Sequence, residues 1–181
     1  DIYTTVNVVS AAAATIADVN FAAATSVNAS GAGVTTITAL TDVGAVTAFT
    51  STGGGLSLGA AIGTAVTFTG GAGADAVTLG VTTKAIDMGA GDDTVTYAGI
   101  VGTGGSVAAG TGTDTIVMTS TAAAASDATP VFNTKNTGFE TLSISGAFGA
   151  TDALDVDGLN DVSKVIVQGG TGHATTAQIN N

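Results

Sequence analysis

Three glycine-rich turns, each closing on an aspartate, hold the residues of this chain best suited to chemistry. They read Gly70-Gly71-Ala72-Gly73-Ala74-Asp75, Met88-Gly89-Ala90-Gly91-Asp92-Asp93 and Ala109-Gly110-Thr111-Gly112-Thr113-Asp114. Each runs into a β-type triplet: Ala76-Val77-Thr78, Thr94-Val95-Thr96 and Thr115-Ile116-Val117. The first fits the nine-residue pattern G-G-x-G-x-D-x-U-x at every fixed position. The other two depart from it only at the first glycine, where Met88 and Ala109 stand. The chemistry this pattern suits is calcium binding. Calcium takes about six to eight oxygen ligands at roughly 2.3–2.6 Å, from carboxylates and backbone carbonyls alike. Aiming several carbonyls at one point needs dihedrals that side chains forbid, which accounts for Gly70, Gly71, Gly73, Gly89, Gly91, Gly110 and Gly112. Asp75, Asp93 and Asp114, with Asp92 beside the second, supply the anionic oxygens.

Spacing ties the turns together. Asp75 and Asp93 lie 18 residues apart, two nine-residue units and hence one coil of a two-sided roll, so they are expected above one another on one edge. Asp114 follows 21 residues after Asp93, and the three additional residues are expected to bulge from the opposite loop, 98–105. Stacked rungs are about 4.7–4.9 Å apart. Two carboxylates at that separation repel by about 3–4 kcal/mol at an effective dielectric of 20. A column of aspartates is therefore unfavourable until a divalent cation sits between its rungs. One calcium is expected between the Asp75 and Asp93 turns and a second between the Asp93 and Asp114 turns.

The elements that must position these turns are short. β-branched runs fall at 34–38, 46–50, 56–58, 66–69, 77–79, 85–88, 95–97, 106–107, 116–118, 142–144, 154–156 and 165–167, mostly nine to eleven residues apart, and 4–10 alternates like a further strand. Apolar residues alternating with Thr and Ser are the period-2 signature of strands with one buried face. Strands this short, joined by glycine turns at a steady pitch, predict an all-β fold, a right-handed parallel β-helix or β-roll solenoid with glycine-rich calcium-binding turns. The solenoid is expected over 1–118 and again over 139–181. Residues 119–138, with the sole proline Pro130, are expected as a plain surface loop between them. Helical propensity is confined to 11–14 and 122–125. Neither end shows a cap and the chain opens on Asp1, so a segment of a longer protein is expected.

Composition narrows the function. The 181 residues carry 14 acidic groups against 3 basic ones, all lysines, for a net charge of −11. Binding to phosphate backbones needs clustered Lys or Arg, so nucleic acid and anionic membrane surfaces are excluded as partners. No apolar run of about 18 residues exists to insert in a membrane. Cysteine is absent, so there are no disulfides or thiolate metal sites.

Residues 66–146 resemble the RTX-type, calcium-dependent S-layer proteins of Gram-negative bacteria. Besides the first two turns, the resemblance rests on Thr82-Thr83-Lys84-Ala85-Ile86, Gly104-Gly105-Ser106-Val107 and Gly138-Phe139-Glu140-Thr141-Leu142. It implies export by a type I system, calcium-bound β-helical domains, and self-association into a two-dimensional lattice on the bacterial cell surface. Anchoring to surface polysaccharide would belong to another domain. The runner-up reading is a calcium-binding RTX module of a secreted adhesin, toxin or hydrolase. A third is ice binding through a threonine ladder built from Thr36/Thr38, Thr67/Thr69 and Thr94/Thr96. No enzymatic activity is expected: Glu140, the only glutamate, suits a strand start that accepts backbone bonds, and His173 lies in a polar tail. Asp152, Asp155, Asp157 and Asp161 form a second acidic group able to hold a further cation, and Asp87 could join the outer shell of the second turn.

Overall fold

The structure, a computed structural model, describes residues 3–98, 104–127, 130–147, 153–155, 159, 161–168 and 178–180. Among these residues, twelve strands precede the first helix: β1 (Thr5–Val9), β2 (Ala14–Asn20), β3 (Ser26–Ser30), β4 (Thr35–Thr41), β5 (Ala48–Ser51), β6 (Leu56–Ile62), β7 (Thr67–Thr69), β8 (Ala76–Leu79), β9 (Ala85–Asp87), β10 (Thr94–Tyr97), β11 (Ser106–Ala108) and β12 (Thr115–Met118). Helices α1 (Ser120–Asp127) and α2 (Pro130–Lys135) come next, then β13 (Asn136–Thr137), β14 (Thr141–Ile144), β15 (Ala153–Asp155), β16 (Lys164–Val167) and β17 (Gln178–Asn180). Odd-numbered strands β1 to β13 form one parallel sheet in chain order, and even-numbered strands β2 to β16 form the other. The chain thus coils as a two-sided parallel β-solenoid, as the strand pitch predicts.

Burial follows the two-residue alternation. Val27, Phe49, Phe68, Ile86 and Val107 stack in register as one inward column of the first sheet, all buried. Val77, Val95, Ile116 and Leu142 do the same in the second. Each apolar side chain therefore packs on its equivalents one coil above and below as well as across the roll, which is how strands of three or four residues hold together. The threonine pairs point outward, but Thr36/Thr38 and Thr94/Thr96 lie on the second sheet and Thr67/Thr69 on the first. They do not build one face.

Register also locates the three additional residues. Leu79 pairs with Tyr97 and Ala85 with Ser106; six positions separate the first strand end from the next start, against nine in the following coil. The insertion lies between Tyr97 and Ser106, opposite the glycine turns.

Ala14 opens β2, inside the solenoid expected over 1–118. One expectation is corrected here. The excursion at 119–138 is not a plain loop but two helices and a strand that returns to the first sheet. Thr119 caps α1: its hydroxyl accepts the N–H of Ala122 at 3.2 Å, satisfying one of the orphan donors of the first turn. Ala122 and Ala123 lose no side-chain entropy on burial and are buried. Pro130 stands at the first position of α2, where its missing N–H costs nothing. Phe132 of α2 is buried against Tyr97 of β10, with ring centroids 6.4 Å apart in an edge-to-face arrangement. The Tyr97 hydroxyl donates to Asn136 Oδ1, and Asn136 Nδ2 donates to the Phe132 carbonyl at 3.0 Å.

Beyond Gly138 the second sheet continues through β14 and β16, whereas β15 leaves it and pairs with β17 in a separate two-stranded sheet. No helix among the described residues is long and apolar enough to cross a membrane.

Candidate metal centre

The strand register that stacks the core also stacks the three turns position for position. Asp87 pairs with Thr69 before the turns, and Thr94 pairs with both Ala76 and Thr115 after them. Ala90 bridges Thr111 at mid-turn. Gly70 N donates to Asp87 O at 2.7 Å, Ala90 N to Gly71 O at 2.7 Å, and Gly91 N to Thr111 O at 2.9 Å, so backbone lies directly on backbone. That contact explains the glycines of the third turn: a Cβ on Gly110 would stand 1.9 Å from the Gly89 carbonyl oxygen, and Gly110 has φ +98°. Gly89, Gly91 and Gly112 also have positive φ, whereas Gly70, Gly71 and Gly73 do not, so the turn that best fits the repeat follows a different backbone path. Met88 and Ala109, the two departures, are fully buried and point into the core.

The carboxylates form a continuous column, each reaching back one rung. Asp75 Oδ1 accepts the Leu56 N–H at 2.6 Å, Asp93 Oδ1 accepts the Asp75 N–H at 2.7 Å, and Asp114 Oδ1 accepts the Asp93 N–H at 2.8 Å. Glu140 Oε2 accepts the Asp114 N–H at 2.8 Å as a fourth member. The three aspartates are 2%, 1% and 0% exposed, among the most buried side chains of the molecule. Asp75 is satisfied on both oxygens, since Oδ2 accepts the Gly71 N–H at 3.2 Å. Asp93 Oδ2 and Asp114 Oδ2 are buried with no hydrogen-bond partner.

Burial dominates the electrostatics. It pushes the Asp93 carboxyl up to about 7, opposed by the Asp75 N–H and reinforced by the charges of Asp75, Asp114 and Asp92. Asp114 is raised by burial as well, against its bond from the Asp93 N–H, with Glu140 and Asp92 adding repulsion. Asp75 is raised by burial, against the Leu56 N–H, the nearby Ser51 hydroxyl (which stops short of a hydrogen bond) and the Gly71 N–H.

An orphaned, buried, anionic oxygen costs several kcal/mol unless a cation or proton meets it. The two such oxygens belong to the carboxylates that span the two gaps the spacing nominates, Asp93 reaching from the second turn to the first and Asp114 from the third to the second. Among the described residues no three Asp, Glu, His or Cys side chains converge on one point. A cation here would therefore draw most of its oxygens from the turn carbonyls, which is within the ligand preferences of calcium. Asp75 takes a different part from the one expected: its carboxylate faces the Leu56 coil, away from Asp93.

The remaining acidic residues separate. Asp92 is exposed, and its Oδ1 accepts the Thr113 N–H of the next turn at 2.9 Å. Asp87 is exposed and accepts the N–H of Gly89 at 3.2 Å, outside the column. Asp161 Oδ2 accepts the Gly138 N–H at 2.9 Å. Asp152, Asp157 and His173 lie outside the described residues, as does the Asp155 side chain. Glu140 belongs to the column through a signal present in the sequence: Glu140-Thr141-Leu142 repeats the acid–threonine–aliphatic order of Asp93-Thr94-Val95 and Asp114-Thr115-Ile116. No family model matches the chain, and a search of the curated proteins finds no relative.

Proposed function

We propose that this chain is a structural segment of a bacterial surface layer, a β-solenoid stabilised by calcium that associates with copies of itself into a two-dimensional lattice outside the cell. The observation that carries the calcium reading is the pair of buried, unpartnered oxygens, Asp93 Oδ2 and Asp114 Oδ2, in successive gaps of one turn column. Bound calcium supplies positive charge to those gaps and stabilises the folded rungs by RT ln(1 + [L]/Kd). The residues do the rest. Asp93 and Asp114 each bridge two rungs, with one oxygen on a backbone N–H and the other left for the ion. The glycines let the turn backbones pack closely, and the turn carbonyls would supply the remaining oxygens. A chain with a net charge of −11 repels its own copies, and cations on the acidic edge reduce that repulsion as protomers approach. The surface-layer assignment rests on the resemblance of residues 66–146 together with the repetitive, nearly all-β architecture.

Negative-stain electron microscopy of the purified chain, with calcium and after its removal, tests this function. Ordered sheets that disappear on chelation are expected. The combined change Asp75→Asn, Asp93→Asn and Asp114→Asn should prevent their formation. Single particles in both conditions would sink the lattice reading and leave a calcium-binding module of a secreted protein.

A further inference from the structure

We infer that the two gaps are unequal cation sites, and that the gap between the Asp93 and Asp114 turns is the tighter because Asp92 adds a second carboxylate to it alone. This inference rests on the calcium reading and specifies how the column would fill. In the upper gap two carboxylates cross. Asp114 reaches down, its Oδ1 on the N–H of Asp93, while Asp92 reaches up, its Oδ1 on the N–H of Thr113. These acceptors and donors are chain neighbours in pairs, so both carboxylates bridge the same two turns, Asp114 from the buried side and Asp92 from the exposed edge. The carboxylate of Asp114, which spans that gap, is 0% exposed and its Oδ2 has no partner.

The lower gap carries less charge, and one of its walls, the first turn, follows a different backbone path from the other two. Asp93 reaches down to the Asp75 N–H and leaves Oδ2 unpartnered, but the position in register with Asp92 is Ala74. The flanking gaps lack other parts. Below Asp75 the carboxylate already has a donor on each oxygen. Above Asp114 the glycine turn is cut short: seven positions separate Ala108 from Thr115, but only four separate their partners Thr137 and Thr141. No second cradle of carbonyls faces Glu140 there. Calcium affinity in oxygen sites is tuned over decades by the number of charged ligands and by rigidity. The upper ion would accordingly remain as a permanent staple while the lower site fills and empties as calcium changes.

Calorimetric titration of the full chain with calcium chloride tests this, using Asp92→Asn and Ala74→Asp. Both positions are exposed, and asparagine retains an oxygen for the Thr113 N–H. The wild-type chain should show two single-ion steps separated by about tenfold or more in Kd. Asp92→Asn should merge them by weakening the tighter step, and Ala74→Asp should merge them by tightening the weaker one. Two equal steps in the wild type would overturn the inequality, and a separation that survives Asp92→Asn would overturn its assignment to Asp92; either outcome leaves the calcium reading in place. A chain that takes up no calcium would overturn both.

Discussion

Replacing Asp93 by asparagine isolates the cost of one buried charge in the column. In the calcium-free folded chain burial lifts this carboxyl from 3.8 to about 7. Between those values the folded state holds a proton that the unfolded state has released. Calcium-free stability is therefore greatest below about pH 4 and falls as pH rises through 7. At 1.36 kcal/mol per pH unit the full shift corresponds to about 4 kcal/mol. Water and counter-ions at the mouth of the turn screen it, so about 2 kcal/mol is expected in a measurement. The asparagine keeps an acceptor for the Asp75 N–H but puts an amide without a partner where Oδ2 stood, at a cost of about 1 kcal/mol. The variant should therefore be less stable than the wild type by about 1 kcal/mol at pH 4 and more stable by about 1 kcal/mol at pH 8. Urea unfolding of calcium-stripped protein, followed by far-UV circular dichroism across that range, reads the crossing directly. Wild-type stability that rises between pH 4 and 7, or a variant that is weaker at every pH, would refute the reasoning. With calcium at about 100 times its Kd the order at pH 8 should reverse, because only the intact site gains the roughly 2.7 kcal/mol of linkage.

Three further outcomes follow from the packing. Gly110→Ala should cost about 3 kcal/mol in the same unfolding assay, since its Cβ meets the Gly89 carbonyl and φ is +98°, whereas Gly80→Ala, with open space at its Cβ, should stay within about 0.5 kcal/mol. Tyr97→Phe removes the donor to the buried Asn136 amide oxygen and should lower stability by about 1–3 kcal/mol, read from the shift in urea midpoint. Thr119→Ala deletes the α1 cap and should cost about 1 kcal/mol, with faster amide exchange over the first turn of that helix by mass spectrometry.

Much of the architecture is legible in local pattern. Val77-Thr78-Leu79, Val95-Thr96-Tyr97 and Ile116-Val117-Met118 alternate with period 2, and glycine turns at a steady pitch leave few ways to bury so many short strands other than coil on coil. The 18-residue interval between Asp75 and Asp93 is sufficient to stack their turns, and the 21-residue interval to Asp114 is sufficient to demand a bulge on the far edge. Local pattern fails where alternation is weak. Strands β2 and β3 are built from alanine, asparagine, serine, threonine and Asp18 around Ile16, Val19 and Val27, and they form because β4 and β5 present edges to pair with. The helices after Thr119 depend on a core end for Ala122, Ala123 and Phe132 to cover, so the cap alone does not announce them.

The carboxylates divide along the same line. Residue types and spacing determined that acidic groups would share one edge of a parallel solenoid. Only the tertiary structure decided which gap each one enters: Asp75 toward Leu56, Asp93 and Asp114 with one oxygen bonded and one bare, Asp92 upward, and Glu140 as the next rung. The reason is physical. A carboxylate turns toward whichever backbone N–H lacks a partner, and those donors belong to coils 18 to 26 residues away, so their positions exist only once the rungs have paired.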